Sequence, residues 1–314
     1  MPIRKQLLGS FTERSRGPDF WIHILLYACM GLAFWPITLW FANTAHDQSR
    51  IFHALIVLGL ATTFLIKFGR ITIEQPLSLS ETARRYLIGA YALLLLGFAT
   101  GKATTLLPIE QQAAALNILS LLSIPAYGCG LISLTLFVFG MGVRRVAVTV
   151  GGTLIAFLLL SILMEPLDWP LRGLAGQWSG TVLGLLGKEV QMGLMQGEEQ
   201  LPMLIMLVDQ HPFHVASECN GFGVILTSLL IAFLLGLYRQ LGPIRLLVSI
   251  AAGIFIGFAF NILRIVIIVL LAPSLMDHYM LMHEIVGGIT YWGCLIVVWL
   301  VLKGPTHHES AGQD

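Results

Sequence analysis

The sequence predicts an all-α, polytopic integral membrane protein, a bundle of about eight transmembrane helices, and two observations support this fold class. Of the 314 residues, 56% are hydrophobic and 11% are charged, and the mean hydropathy is +0.83, all outside the range of soluble domains. The apolar residues also gather in runs of roughly the 20 residues that a helix needs to cross a bilayer. The predicted spans are residues 20–41, 51–68, 86–101, 115–140, 146–167, 220–238, 244–272 and 283–302.

Proline and the start of the chain are both compatible with these spans. Pro36 and Pro125 lie inside predicted spans, and membrane helices tolerate proline where neighbouring groups satisfy the freed backbone. The first apolar run begins near Phe20, is too long for a signal-peptide core and has no Ala-x-Ala-like exit. We therefore expect the first span to remain as a membrane anchor.

The basic residues outside the spans predict the orientation, because cytoplasmic loops of membrane proteins are enriched in Lys and Arg. With the N-terminus inside, 13 of the 18 basic residues fall in inner segments and 4 in outer segments. The inner residues are Arg4, Lys5, Arg14, Arg16, Lys67, Arg70, Arg84, Arg85, Arg144, Arg145, Arg239, Arg245 and Lys303. The outer residues are Arg50, Lys102, Arg172 and Lys188. The remaining one, Arg264, lies within a span.

The longest outer connection runs from Asp168 to Glu218 and is expected to carry structure or function of its own. Its first part has apolar residues close to helical spacing, which predicts an amphipathic helix in the membrane interface. These residues are Leu171, Leu174, Trp178, Val182, Leu185 and Leu186. The segment from Leu201 to Val208 is too short to span and is either a strand or a re-entrant piece. We interpret the methionines here as an apolar lining rather than metal ligands; they are Met192, Met195, Met203 and Met206.

Charge and cysteine content exclude other classes of protein. The 18 basic and 17 acidic residues nearly balance, so the chain lacks the basic field on which nucleic-acid binding depends. Of the four cysteines, Cys29, Cys129 and Cys294 lie in apolar runs, where Cys usually packs as a small hydrophobic residue. No disulfide framework is predicted. Only Cys219 lies where a polar loop turns into a span.

The predicted topology brings three reactive side chains to the outer face of the membrane. Cys219 is at the outer N-terminus of the sixth span and His283 at that of the eighth. Arg264 lies about seven residues, or roughly 10 Å, below the outer end of the seventh span. A helix N-terminus and a nearby cation favour the thiolate of Cys219. His283 can take and return a proton, and Arg264 can donate to a carbonyl or an oxyanion.

The motifs around these residues resemble the exosortase/archaeosortase family of membrane-embedded cysteine transpeptidases. The matching residues are Glu218-Cys219-Asn220-Gly221-Phe222-Gly223, Asn261-Ile262-Leu263-Arg264-Ile265 and His283-Glu284-Ile285-Val286-Gly287. The resemblance covers residues 165–300 well and the N-terminal half only as a generic bundle. In one departure, Asn220 stands where the family commonly has Ser.

The resemblance implies roles for these residues. Cys219 would be the nucleophile, His283 the acid and base, and Arg264 the group that stabilises the oxyanion or orients the substrate. Asn261 is three residues before Arg264 on one helical face and would hold its guanidinium. The further supporting residues are Glu284, Glu218, Asn220 and Gly221.

The family also implies a location and a substrate class. The chain would be a multi-pass protein of the cytoplasmic (inner) membrane, with its active site on the periplasmic or extracellular face. Its partners would be membrane lipid and secreted proteins that end in a short sorting signal, a transmembrane helix and a basic tail. Cleavage would pass through a Cys thioester to an amine, a lipid or water, with no cofactor and no metal. Four regions follow: N-terminal spans over 1–167, an outer loop over 168–219, catalytic helices over 220–303 and a cytoplasmic tail over 304–314.

Two other functions stay open from the residues alone. A metal-dependent membrane protease would gather a zinc site from His211, His214, Cys219, His278 and His283. His283-Glu284 is not followed by a second His at the spacing of zinc proteases. A membrane transporter or scaffold without catalysis would instead use Arg264 to line a pathway, and transporters of that kind show paired broken helices, which this sequence does not show.

Overall fold

The computed structural model describes residues 3–39, 49–68, 72–106, 108–196, 202–215 and 221–304. The chain forms two compact units, Met1–Leu159 and Leu160–Asp314. The division into four regions concerns membrane topology and stays a prediction. The candidate site lies in the second unit.

The first unit is built from helices that pack through apolar and small residues. Its helices are α1 (Ile3–Arg14), α2 (Pro18–Ala33), α3 (Ser49–Phe68), α4 (Glu81–Thr104), α5 (Ile109–Phe139) and the start of α6 (Arg144–Met164). Tyr27 on α2 hydrogen-bonds Ser133 on α5 at 2.7 Å, and the Ser133 hydroxyl donates to the Ala83 carbonyl on α4 at 2.7 Å. Pro125 lies inside α5 without ending it.

The second unit combines helices with a small sheet. After the end of α6 come a 3-10 turn (Glu165–Leu167) and α7 (Asp168–Leu185). The strands β1 (Val190–Gln196), β2 (Pro202–Val208) and β3 (His211–His214) form an antiparallel sheet in the order β1-β2-β3. The last helices are α8 (Phe222–Tyr238), α9 (Pro243–Leu271) and α10 (Tyr279–Leu302), with short 3-10 helices at Ala272–Ser274 and Met276–His278 between α9 and α10.

The sheet is the main addition to the predicted all-α architecture. The helix predicted over residues 171–186 is confirmed as α7, and the segment at 201–208 that was open between two interpretations is strand β2. Strand β1 was not predicted. Its register places Met192 opposite Met206 and Met195 opposite Met203. Met206 is fully buried, as an apolar lining requires, whereas Met195 lies exposed.

Helix lengths support a multi-pass membrane protein. Among the described residues, five helices are long and apolar enough to cross a bilayer: Glu81–Thr104, Leu121–Phe139, Met141–Leu163, Pro243–Ser274 and Met276–Leu302. Three shorter apolar helices, Pro18–Ala33, Leu55–Lys67 and Phe222–Tyr238, overlap the other predicted spans. The total of eight spans remains a prediction.

Packing in the second unit holds the C-terminal half of α9 in place. One core joins α7, the sheet and α9, with buried residues Ala175, Leu183, Met206, Val208, Val215, Ile265, Val266 and Val269. A second cluster joins α9 to the start of α10 through Ile268, Ala272, Met282 and Val286, with Phe213 of β3 packed against it. The sheet therefore supports both helices that carry candidate site residues.

Small residues bring α8 and α9 close together. A Cβ added at Gly257 would lie 3.0 Å from the Ile225 Cα atom and 3.1 Å from the Ser228 hydroxyl. Gly253, one turn earlier on α9, faces the Ser228 carbonyl at 3.1 Å in the same way. Such small residues allow membrane helices to approach closely. Asn261 continues this spacing, so it also faces α8.

Candidate active site

The start of α8 is fitted against Asn261 of α9. Gly221 caps α8 with φ +74° and ψ 0°, a left-handed backbone conformation that residues other than glycine rarely adopt. A Cβ at this position would lie 2.5 Å from the Asn261 Cγ atom and 2.6 Å from its Nδ2 atom. Asn261 itself is 0% exposed. Two features therefore require glycine at position 221: the left-handed backbone, and the Asn261 side chain that fills the place of a Cβ atom.

Arg264 and His283 meet between α9 and α10. The Nη2 atom of Arg264 lies 3.4 Å from the Nε2 atom of His283, and both side chains are half-buried. A guanidinium can only donate, so a hydrogen bond here requires an Nε2 atom without a proton, with the ring proton on Nδ1. The tautomer is assigned from this geometry. The arrangement pairs a permanent cation with a neutral imidazole.

The imidazole of His283 has an aromatic neighbour on its own helix. Tyr279 lies one turn earlier on α10, with ring centroids 6.0 Å apart and the planes inclined by 33°. The i, i+4 spacing, which brings side chains onto one helical face, could have indicated this pair from the sequence. Tyr279 was not among the predicted site residues.

The remaining predicted residues are placed as follows. Glu218, Cys219 and Asn220 lie outside the described residues. Val215 before them is buried in the core of α7, the sheet and α9. Glu284 is exposed on α10 beside His283.

The proposed metal ligands are not gathered within the described part of the chain. His211 and His214 are exposed on β3, and His278 is exposed in the turn before α10. Among the described residues, which leave out Cys219, no three His, Cys, Asp or Glu side chains lie close enough to hold a metal ion.

Polar contacts deeper in the bundle tie α8 to α10. The Tyr291 hydroxyl donates to the Thr227 hydroxyl at 3.2 Å, and the Ser228 hydroxyl lies 3.3 Å from the Cys294 sulfur. Interhelical hydrogen bonds of this kind hold membrane helices in register. They help to fix the rotation of α10, and with it the direction in which His283 points.

An ion pair outside the predicted membrane spans joins the residues just before β1 and just after β2. Lys188 Nζ lies 2.7 Å from Asp209 Oδ2, and the Glu189 amide donates to Asp209 Oδ1 at 3.0 Å. The hydrogen bond from Lys188, together with that from Glu189, lowers the pKa of Asp209 below 3.8. This contribution to stability is therefore complete above the ordinary Asp pKa and is lost as the pH falls through the lower, folded value.

Comparison with known proteins decides the family. The family model described as Transmembrane exosortase (Exosortase_EpsH) matches residues 27–300, which is most of the chain. The chain belongs to the transmembrane exosortase family. Exosortases are, as a family, membrane cysteine proteases or transpeptidases with a role in protein sorting. No curated protein and no solved structure matches the chain.

The family match is wider than the motifs suggested. The motifs resemble the family over residues 165–300, whereas the match begins at residue 27, within α2. The first unit from the second half of α2 onward therefore falls within the exosortase match.

Proposed function

We propose that the protein is a cysteine protease/transpeptidase that removes the C-terminal sorting signals of secreted proteins through a thioester on Cys219. The observation that carries the proposal is the 3.4 Å contact between Arg264 and His283. A cation and an imidazole at this separation, in the outer part of two membrane helices, match the needs of acyl transfer. Family membership gives the reaction class.

Chain geometry supports Cys219 as the nucleophile. Cys219 lies two residues before Gly221 in the sequence, so their Cα atoms are at most about 7 Å apart. Gly221 contacts Asn261, and Asn261 precedes Arg264 by one helical turn on α9. This short tether to the segment that carries Asn261 and Arg264 supports Cys219 as the nucleophile of the same site.

The first half of the reaction forms the thioester. His283 takes the proton of the Cys219 thiol, and the sulfur attacks the carbonyl carbon of the scissile peptide bond. The oxyanion that forms accepts hydrogen bonds from the Arg264 guanidinium. The C–N bond then breaks, His283 returns the proton to the leaving amine, and the acyl group stays on sulfur.

The second half of the reaction releases the acyl group. An acceptor amine, lipid hydroxyl or water gives a proton to His283 and attacks the thioester carbonyl. The C–S bond breaks, and the Cys219 thiol is regenerated with the proton that His283 held. Water as acceptor gives hydrolysis, and an amine or lipid gives transpeptidation or anchoring.

Arg264 has two successive acceptors in this scheme. Without substrate it donates to His283 Nε2, which occupies the lone pair that a general base needs. A substrate carbonyl that draws the guanidinium away frees Nε2 for the thiol. Substrate binding and activation of the base are then coupled through one side chain.

The supporting residues have assigned roles in the proposal. Asn261 holds the start of α8 against α9 and keeps the guanidinium one turn away in place. Glu284 and Glu218 neighbour His283 and Cys219 in sequence and would orient them through hydrogen bonds. Asn220 occupies the position after the nucleophile and is expected to affect which substrate is accepted.

The substrate class and the location complete the proposal. Substrates are secreted proteins that end in a short motif, a transmembrane helix and a basic tail, presented within membrane lipid. The protein resides in the inner membrane, with the site on the periplasmic or extracellular face. The bias of basic residues toward the inner segments supports this orientation.

Comparing the proteins secreted by cells with the wild-type chain and with Cys219→Ala tests the function. Mass spectrometry of C-terminal peptides should show tail removal with the wild type and intact tails with Cys219→Ala. Cys29→Ala, at an exposed cysteine of α2, is the matched control and should process normally. Unchanged processing by Cys219→Ala at equal membrane abundance would refute the proposal and favour a scaffold or transporter. Loss of processing on chelation would favour a metal protease.

A further inference from the structure

We propose that Gly287 is a positioning residue that keeps the guanidinium of Arg264 flat against α10 and in contact with His283. This inference rests on the proposed function and adds to it the reason for the orientation of Arg264. Gly287 does not react with substrate. Its contribution is the absence of a side chain at one point on α10.

The backbone at Gly287 lies directly against the Arg264 guanidinium. A Cβ added there would lie 3.3 Å from Arg264 Nη2, 3.4 Å from Cζ and 3.4 Å from Nε. These nearly equal distances show that the guanidinium presents its face, not its edge, to Gly287. A methyl group would make a tighter contact than packed carbons usually have, so the plane would move outward by a few tenths of an ångström.

The same displacement acts on the contact with His283. His283 and Gly287 are four residues apart on α10 and share one helical face. The Nη2 atom that would be nearest a new Cβ is also the atom that contacts His283 Nε2, at 3.4 Å. This distance is already at the long end for a hydrogen bond. A small outward shift is enough to break it, and the same shift moves the guanidinium away from the position from which it donates to the oxyanion in the proposed reaction.

The neighbouring glycine provides a matched control. Gly288 is exposed, and a Cβ added there would meet nothing within 4 Å. Alanine favours helix over glycine at both positions, so neither substitution is expected to unfold α10. The two variants add the same methyl group to adjacent residues and differ in whether it meets Arg264.

The first measurement compares tail removal by Gly287→Ala and Gly288→Ala on the secreted protein whose processing requires Cys219. Misplacing a catalytic group by part of an ångström to an ångström lowers turnover by about 10- to 100-fold, which is the loss expected for Gly287→Ala. Gly288→Ala should stay within about twofold of wild type. Membrane abundance and thermal stability of both variants should match the wild type.

The second measurement tests whether Gly287 acts through Arg264. Arg264→Lys is combined with Gly287→Ala, because substitutions that act through one side chain are not additive. We expect Arg264→Lys to reduce turnover strongly in the wild-type chain and only slightly further in Gly287→Ala. A purely structural role of Gly287 predicts independent losses that multiply, together with lower thermal stability.

The outcomes separate the two proposals. Equal processing by Gly287→Ala and Gly288→Ala, or fully multiplicative losses with Arg264→Lys, overturns the role of Gly287 and leaves the proposed function standing. Unchanged processing by Cys219→Ala overturns the proposed function and this inference with it.

Discussion

Arg264 carries a charge in the interior of the mostly apolar helix α9, and its neighbours on α10 account for its conformation. It meets the ring nitrogen of His283 at 3.4 Å and lies across the bare backbone of Gly287. An ionisable group inside a membrane span is costly and is usually retained for function. In the proposed mechanism the guanidinium moves from His283 to a substrate oxygen.

Replacing Arg264 tests this role. Removing one donor to an oxyanion lowers turnover by about 100- to 1,000-fold, which is the loss expected for Arg264→Ala. Arg264→Lys keeps the charge but not the planar fork, so it should lie between Arg264→Ala and wild type. The measurement is the initial rate of tail removal per unit of membrane protein.

Arg245 offers a control on the same helix. It is exposed near the start of α9, at the opposite end from Arg264. Arg245→Ala should process at close to the wild-type rate. If Arg264→Ala processed as fast as Arg245→Ala, Arg264 would have no part in catalysis.

The sequence predicts which residues form the candidate site, but it does not predict the contacts between them. Helix direction alone predicts Arg264 and His283 at one membrane face, because it depends only on the span boundaries, and the charge bias predicts that this face is the outer one. Their contact depends on the rotation of α9 and α10 about their axes. Packing against the sheet and α8 determines this rotation. The fit of Asn261 against Gly221 likewise depends on the left-handed backbone of Gly221 and on the packing of α8 against α9. No local sequence pattern predicts this fit.

Among the elements, α7 has two contrasting faces. Ala175 and Leu183 are fully buried against the sheet and α9, and Ser179 is also fully buried, whereas Trp178 is 52% and Leu185 83% exposed. The helix follows α6 after a three-residue turn, so it starts at the end of a membrane span. An apolar stripe with Trp at this level is typical of a helix in the membrane interface.

Lipid quenching tests the interfacial position of α7. In bilayers with brominated acyl chains, Trp178 should lose fluorescence because its ring lies among the lipids. The signal is the difference between wild type and Trp178→Phe, which removes the background of the other tryptophans. We expect bromines near the headgroup to quench more than bromines near the chain ends. Quenching of Trp178 by iodide in water, with none by bromolipid, would contradict an interfacial helix.

The sheet was the element least accessible from the sequence. The apolar residues of β1 alternate at Val190, Met192 and Leu194, which is a strand signal, yet Gly193 weakens it. The sequence of β2 is equally compatible with a strand and with a short re-entrant segment. β1 pairs with β2 antiparallel across the short segment 197–201, and whether two apolar segments pair as strands depends on tertiary context more than on local preference.

At the scale of the whole molecule, composition predicted the membrane class because hydrocarbon tolerates few charges. Long apolar helices such as Pro243–Ser274 and Met276–Leu302 follow from length and hydropathy alone. The shorter helix Phe222–Tyr238 is mostly buried in protein, which length and hydropathy do not reveal. The family match from residue 27 to 300 joins both units in one family pattern.

The proposed reaction passes through a covalent thioester on Cys219, and trapping this intermediate tests it. The His283→Ala protein is mixed with substrate above the ordinary thiol pKa of about 8.5, so that thiolate forms while the acceptor lacks its base. Mass spectrometry of the Cys219 peptide should then show the substrate fragment attached, and hydroxylamine should release it. Cys219→Ala/His283→Ala should show no adduct. Tail removal by the wild type would contradict covalent catalysis if it came with no Cys219 adduct in His283→Ala and with no hydroxamate at the new C-terminus when hydroxylamine is present during wild-type turnover.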